Sequence, residues 1–514
     1  MLTPTHSFKT LTQKPVVLSI SGSDSAAMAG VQMDNRSCQA LSVHCVNAIT
    51  AVTAQNNHEV IAINAVSVIE LEQQIQAVLP LNPQAIKIGM LASTEQIDWL
   101  SDFLAQVEIP VIYDPVLATS SFYSVANNSI ISLIKSKIIP HVTIITPNLA
   151  EAQALTGISI HDDSTTELAA IALQKMGCQW VIITGGHRSS NWASEFCAGP
   201  DTQFWLHNVK LDNKNLRGSG CFFASTLAAT IARGYDVRDA LVITKMCVQN
   251  AIEKAANVND NMGCLEPNGF PTQNWPEYSE RTSKRTSNGF AIEQGFPSCT
   301  DHHDKKPLGL YPIVDRAVWL ERLLPLGVST IQLRIKDLFG HALVEEITQA
   351  ITIAKRFNCR LFINDYWQLA IELGAYGVHL GQEDLANADL LAIKAAGLRL
   401  GISTHSHWEM ARTRVFKPSY IACGPIFPTT TKTMPWIPHG IEGLNYWRSA
   451  INDYPLVAIA GIDETNFHTI AETGVSGIAL ITAITKSPNP EATTQKLLTI
   501  FESASEKISH HHAK

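Results

Sequence analysis

Eight short, apolar, β-branched runs recur through about the last 200 residues of the chain, and nothing else in the sequence constrains its folding as strongly. In order they are LGLYPIVD, STIQLRIKD, RLFIND, GVHLG, LRLGIS, YIACGPIF, LVAIAGI and GIALITAI. Segments of helical character, such as HALVEEITQAITIAKRF and NADLLAIKAAG, separate most of them. Strands alternating with helices pair in parallel through right-handed crossovers, and eight is the strand number that closes a barrel. Residues 308–505 are therefore predicted to form a TIM (β/α)8 barrel, with an open doubly wound sheet as the structural alternative.

In such a barrel the side chains at the C-terminal ends of the strands build the active site. Here those ends are polar although the strands are apolar. The first ends in Asp315, and the second carries Gln332, Arg334 and Lys336 at alternate positions, hence on one face. Asn364, Asp365, Gln382, Asp384 and Ser403 end the next three, and Thr429, Thr430, Thr431 and Lys432 follow the sixth. The last two end near Gly461 and Thr482. Arg334, Lys336 and Lys432 could grip phosphate oxygens, Arg through its fork and Lys as a point charge. Asp365 and Asp384 are hard oxygen ligands suited to Mg²⁺, which commonly takes one or two carboxylates plus substrate phosphates. Any one of these residues alone reads equally well as a solvated group or a surface ion pair. Their agreement on one chemistry, a diphosphate beside a second phosphorylated molecule, carries the reading.

A chain of 514 residues exceeds what one core supports. The stretch 263–307 is rich in Pro, Gly, Ser, Thr and charge without a sustained period, and reads as a linker. The expected organisation is a tail at 1–14, a first domain at 15–262, the linker, the barrel, and a tail at 506–514. In the first domain VVLSISG, VNAITAVTAQ, AIKIGML, VIYDPV, TIITPN and WVIITGG read as strands, with IELEQQIQAVL, LAEAQALTG and GCFFASTLAATIARG as helices between them. That pattern predicts an α/β layered fold with helices on both faces of a mostly parallel sheet.

Composition excludes several classes. The net charge of −8 offers no basic field for nucleic acid. Ten scattered cysteines contain no CxxC pair, so neither a zinc site nor a disulfide framework is signalled. The N-terminus lacks the apolar run of a secretory signal and no stretch of 18 apolar residues occurs, which makes a reduced, cytoplasmic enzyme away from membranes the expectation. The run His510–His512 reads as a solvated tail. Whether copies of the chain associate is left open.

Taken in order, IQLRIKD, FINDYWQLA, GVHLGQEDL, GISTHS, GPIFPTTTK, VAIAGI and the eighth strand resemble the successive motifs of the thiamine-phosphate synthase family. The resemblance implies that Gln332, Arg334 and Lys336 hold a pyrimidine diphosphate, with Asn364 beside it, and that Asp365 and Asp384 bind Mg²⁺. It implies that Ser403 and Lys432 stabilise the departing pyrophosphate, and that Thr429, Thr431, Gly461, Ile481 and Thr482 surround a thiazole phosphate. Ala460 stands where the family usually has glycine, and Thr482 where it has serine.

The first domain, from about Val16 to Lys254, resembles hydroxymethylpyrimidine (phosphate) kinase, a member of the ribokinase-like family. SISGSD, AGVQMD, ITAVTAQN, IKIGML, YDPV, TPNLAEA, TGGH and GSGC carry the resemblance. It implies ATP as co-substrate, with hydroxymethylpyrimidine and its phosphates as the small molecules acted on. Asp34 and Gln55 would hydrogen-bond the pyrimidine, and Met90 would lie against its ring. Asn148 and Glu151 would order magnesium. Gly218 and Gly220 would open a phosphate-binding helix start, and Cys221 would take the position of the base. The bland reading of Cys221 is a small buried thiol at a helix start. This chain departs from the family at Ala26-Ala27-Met28, where glycines are usual, at Thr184 in place of lysine, and at Arg217 in place of histidine. The favoured reading is a bifunctional enzyme whose kinase makes what the barrel consumes. An active synthase carrying a non-catalytic kinase-like binding or assembly domain stays open, as does a phosphate-ligand sensor built on the barrel.

Overall fold

The computed structural model describes residues 13–512, apart from 57–58, 118–126, 187–189, 214, 260–261, 281–293, 300–306 and 430–435. Two compact units divide the chain, with the boundary between Phe290 and Ala291.

The first unit is built on a ten-stranded sheet. Its strands are β1 (Val16–Asp24), β2 (His44–Gln55), β3 (Val60–Ala65), β4 (Ala85–Ile88) and β5 (Val111–Tyr113), then β6 (Ile144–Ile145), β7 (Trp180–Thr184), β8 (Trp192–Ala198) and β9 (Gln203–Val209). A separate two-stranded ribbon follows, of β10 (Ala256–Asn259) and β11 (Met262–Cys264), and β12 (Glu277–Glu280) completes the large sheet. The order is β12-β9-β8-β7-β6-β5-β4-β1-β2-β3. The centre, β7 to β2, is parallel, as the near-continuous Val and Ile runs predict. Both edges are antiparallel. The helix Ser219–Ala232 is buried at every residue from Phe222 to Ala232, consistent with its all-round apolar sequence.

In the second unit eight parallel strands close a barrel: β13 (Gly309–Val314), β14 (Thr330–Leu333), β15 (Arg360–Asn364), β16 (Gly377–Leu380), β17 (Arg399–Thr404), β18 (Tyr420–Cys423), β19 (Leu456–Ile459) and β20 (Gly477–Leu480). Closure is made by the pairing of β13 with β20. The open-sheet alternative is thereby set aside.

The linker expected at 263–307 needs correcting at both ends. Glu277–Glu280 adds β12 antiparallel to β9, and the Ser279 hydroxyl lies 3.0 Å from Nε2 of buried His207. Four residues among prolines and asparagines are too short to display a strand period. At the other end, Gln294–Cys299 packs against the barrel. Phe296 N–H donates to Lys417 O (3.0 Å), and the guanidinium of Arg360 donates to Cys299 O (3.3 Å) and Pro307 O (2.8 Å). Cys299 is buried among Leu308, Tyr311, Phe362 and Tyr420. A barrel's floor exposes apolar side chains, and this segment covers part of it. The tail expected from residue 506 also begins inside a helix, Pro490–His512, which buries Leu497, Phe501 and Ala504.

Candidate active sites

The end of β15 turns abruptly into the barrel mouth. Asp365 takes a left-handed conformation (φ +65°), uncommon outside glycine, asparagine and aspartate, and its N–H donates to His379 O at 3.0 Å. The turn aims its carboxylate at Lys336, whose Nζ lies 2.5 Å from Oδ2. Asp384, on the short turn after β16, accepts from Gly381 N–H at 3.0 Å and faces Asp365. Burial, then the Asp365 charge, raises the Asp384 carboxyl above the usual range. A carboxyl raised by its neighbour's charge, with the Lys336 ammonium on that neighbour, forms a donor set that a hard divalent cation would satisfy. No cluster of three metal-ligating side chains occurs among the described residues. Two carboxylates are what Mg²⁺ commonly takes from protein, with its remaining positions filled by water and substrate phosphates.

Around this pair stand the other predicted residues. Arg334, just past β14, is half-buried, and its side chain makes no hydrogen bond or ion pair among the described residues. Asn364 is buried at the end of β15, and Gln332 is buried beside the hydroxyls of Tyr311 and Tyr420. Ser403 Oγ lies 2.9 Å from Nε2 of His379, and Gln382 donates to Ser403 O at 2.8 Å. Across the mouth, Gly461 (φ +71°) lets the chain after β19 pass so close to Phe427 that a Cβ would sit 2.3 Å from its carbonyl oxygen. Phe427 N–H also donates to Ala460 O at 3.2 Å, and Thr429 follows two residues beyond Phe427. Ile481 and Thr482 follow β20 next to β19. Thr431 and Lys432 lie outside the described residues.

The first unit has its own polar centre, at the C-terminal ends of β1, β4 and β5. Lys87 on β4 has no exposed surface and donates to both oxygens of Asp34 (3.0 and 2.9 Å) and to Ser21 Oγ (2.9 Å). Burial favours the neutral amine, but the acidic groups around it, Asp34 first and then Cys221 and Asp114, together outweigh burial and raise the pKa. Ser19 and Ser225 also donate to Asp34, so the carboxylate expected to meet a pyrimidine is enclosed by the protein's own donors. Cys221 lies in the first turn of the helix Ser219–Ala232, behind Gly218 (φ +81°). Burial pushes its thiol up to about 12, and that thiol donates to Asp114, whose carboxyl burial raises to about 6. At neutral pH Cys221 is a protonated donor. Asp114 is the ionised group facing the helix start.

Asn148 and Glu151 form a capping box on the helix Leu149–Thr156. Glu151 N–H donates to Asn148 Oδ1 (3.0 Å) and Asn148 N–H to Glu151 Oε2 (2.8 Å). Burial, followed by the Asp114 charge, raises Glu151 to about 8. Gln55, the last residue of β2, is tied through its backbone to the Ser25 hydroxyl. Met90 is buried, and its methyl fills the space where a Gly22 side chain would be. The Ala26-Ala27-Met28 departure is absorbed locally. Asp24 accepts from the N–H groups of Ala26, Met28 and Ala29, Met28 is buried, and Arg217 reaches Asp24 Oδ2 at 3.6 Å.

Lys87, Asp114, His379, Tyr311 and Tyr420 were not singled out from the sequence as site residues. Lys87 had a signal, since a lone lysine between isoleucines in a buried strand demands a carboxylate partner. His379 had a similar one inside GVHLG. The two tyrosines had none.

Fold and sites together define a two-domain enzyme, an α/β kinase-like unit followed by a barrel built to handle phosphates. Residues 24–266 match the phosphomethylpyrimidine kinase family, and residues 310–484 match thiamine monophosphate synthase. The thiamine-phosphate synthase of Photorhabdus laumondii is 55% identical over 195 residues, which are 38% of this chain and 90% of that protein. The thiamine-phosphate synthase of Serratia proteamaculans is 53% identical over 195 residues, again 38% of this chain and 92% of that protein. Among solved structures, the pyridoxal kinase from Staphylococcus aureus in complex with ADP aligns with a TM-score of 0.49 and 26% identity, covering 52% of this chain and 99% of that one. The chain belongs to the thiamine-phosphate synthase family and carries a phosphomethylpyrimidine kinase domain ahead of its barrel, a fused enzyme of thiamine biosynthesis. No helix among the described residues is long and apolar enough to cross a membrane.

Proposed function

We propose that the barrel joins hydroxymethylpyrimidine diphosphate to thiazole phosphate with release of pyrophosphate, and that the kinase unit uses ATP to make the diphosphate. The observation that carries the reading is the Lys336, Asp365 and Asp384 cluster at the barrel mouth, with the guanidinium of Arg334, two residues before Lys336, unpaired among the described residues. Asp365 and Asp384 would hold Mg²⁺, which when bound supplies Lewis-acid neutralisation of pyrophosphate charge. Arg334 and Lys336 grip the same oxygens, Ser403 donates to them, and Lys432 follows from the family motif. The methylene C–O bond breaks with its electron pair leaving on pyrophosphate, and the thiazole nitrogen captures the carbon. No protein nucleophile is needed, so catalysis is stabilisation of developing negative charge.

In the kinase unit, the helix start at Gly218–Cys221 faces the transferring phosphoryl group with its N–H groups. Asp114 is placed to take the acceptor proton, Lys87 orders the carboxylates behind it, and Asn148 and Glu151 set the magnesium side. Purified protein with Mg²⁺, ATP, hydroxymethylpyrimidine and thiazole phosphate should form thiamine phosphate, as should the mix given ready-made diphosphate. Product only in the second would leave a silent kinase unit, and product in neither would overturn the reading.

A further inference from the structure

Four side chains from four strands are hydrogen-bonded in series through the barrel interior. Tyr311 Oη on β13 lies 2.8 Å from Tyr420 Oη on β18. Tyr420 Oη is 2.7 Å from Nδ1 of His379 on β16, and Nε2 of His379 is 2.9 Å from Ser403 Oγ on β17. Both tyrosines and the histidine are buried, and Gln332 on β14 stands at the far end beside the two phenols. Space for the series has been left in the sheet. A Cβ on Gly401 would fall 2.4 Å from the Tyr420 hydroxyl and 2.1 Å from its ring carbon, so only glycine admits the ring there. Barrel interiors of this kind are usually filled by branched apolar side chains, and an uninterrupted polar file in one asks for a reason.

Counting hydrogens supplies it. Each phenol and the serine hydroxyl carries one hydrogen, and His379, whose two ring nitrogens face the Tyr420 and Ser403 hydroxyls, contributes one more as a neutral imidazole. Two phenols, one imidazole N–H and one serine hydroxyl then hold four hydrogens for three internal links. One hydrogen is left over, at one end or the other. If the series runs from Tyr311 outward, Tyr420 donates to Nδ1, Nε2–H donates to Ser403 Oγ, and the serine hydrogen points into the barrel mouth. If it runs backward, Ser403 spends its hydrogen on His379 and presents only lone pairs to an anion.

We propose that Tyr311, Tyr420 and His379 are positioning residues that hold Ser403 as an outward donor to the leaving pyrophosphate. The proposal rests on the reading of Ser403 given above. In this proposal the amide of Gln332, buried beside both phenols, is the group that sets the direction, by turning its N–H₂ toward them. Because the same residue belongs to the pyrimidine side of the site, occupancy there and donor direction at the leaving group are joined through the file. No proton is transferred along it. The C–O bond breaks with both electrons going to pyrophosphate, and Ser403 contributes one hydrogen bond.

The test is steady-state synthase kinetics on the full-length chain with Mg²⁺, ready-made pyrimidine diphosphate and thiazole phosphate. S403A should lower kcat about 100-fold, the usual loss for one oxyanion donor. Y420F, which keeps the ring and removes one link, should lower kcat about 10-fold with both KM values within about twofold. The double variant should be no slower than S403A, because Tyr420 acts only through Ser403. H379Q, whose amide can donate near the place of Nε2, should keep more kcat than H379A at matched melting temperature, which covers the case in which Y420F folds poorly. Additive losses in the double variant, or a wild-type kcat for both Y420F and H379A, would overturn the relay. A wild-type kcat for S403A would instead overturn the Ser403 reading beneath it.

Discussion

Left-handed backbone at non-glycine residues marks where this chain carries strain. Ala460 has φ +74° immediately before Gly461 at φ +71°, and Ala27 has φ +57° in the loop held by Asp24. For an L-residue that region costs roughly 1–2 kcal/mol, partly offset in a glycine variant by greater freedom of the unfolded chain. A460G should therefore stabilise the barrel unit by about 0.5–1 kcal/mol, read as a shift in the calorimetric midpoint. G461A should do the reverse and more, because its Cβ would meet Phe427 O at 2.3 Å; a midpoint equal to wild type would refute the geometry. Asp365 shares the conformation but for a chemical reason, since a glycine there would lose the carboxylate that faces Lys336 and Asp384. Asparagine tolerates the left-handed region nearly as well as aspartate. D365N should thus keep the fold, as judged by circular dichroism, while lowering synthase kcat at least 100-fold in the spirit of losing one charge-stabilising group. The sequence marks Ala460 as unusual, but only the backbone angle says what the exchange does.

Short elements set how far the strands could be read ahead of the structure. All eight barrel runs became strands in order, and six of the ten strands of the other sheet were predicted, because buried parallel strands are continuous apolar runs. The four that escaped notice, β3, β8, β9 and β12, are the antiparallel ones, where polar and aromatic residues interrupt the pattern. The barrel site was legible because strand-end chemistry survives as local motifs. The Tyr311 to Ser403 file was not, since its members lie far apart in sequence and meet only when the barrel closes. The segment Gln294–Cys299 escaped for the same reason: nothing in its Gly, Pro and Ser content announces Arg360 as its anchor. R360A removes a charged donor from Cys299 O, Pro307 O and Ser329 Oγ together. At about 1 kcal/mol or more for charge-assisted bonds, it should destabilise the barrel unit by about 1–3 kcal/mol. Chemical denaturation followed through synthase activity would check this, with kinase activity at the same denaturant concentrations as the internal control.

Two units with separate cores and separate sites imply that the fused activities can be lost one at a time. Asp384 lies in the barrel, where it shares charge repulsion with Asp365, and Asp114 lies in the kinase unit between Cys221 and Lys87. Each substitution to asparagine keeps shape and removes a charge, so neither should disturb the other unit. D384N should abolish thiamine phosphate formation from ready-made diphosphate while leaving ATP consumption with hydroxymethylpyrimidine phosphate at its wild-type rate. D114N should do the opposite. An equimolar mixture of the two variants should then recover product from ATP and the unphosphorylated pyrimidine, because the diphosphate made on one molecule can diffuse to another. At low enzyme concentration the mixture would show a lag that lengthens on dilution, set by the time needed for free diphosphate to reach the KM of the synthase. If the wild-type chain shows the same lag at matched concentrations of active sites, the intermediate passes through solution and fusion serves only to keep the two activities in fixed ratio. A wild-type chain without the lag would mean that the diphosphate reaches the barrel before it equilibrates with solvent, and the fusion would then have a kinetic role that neither unit has alone.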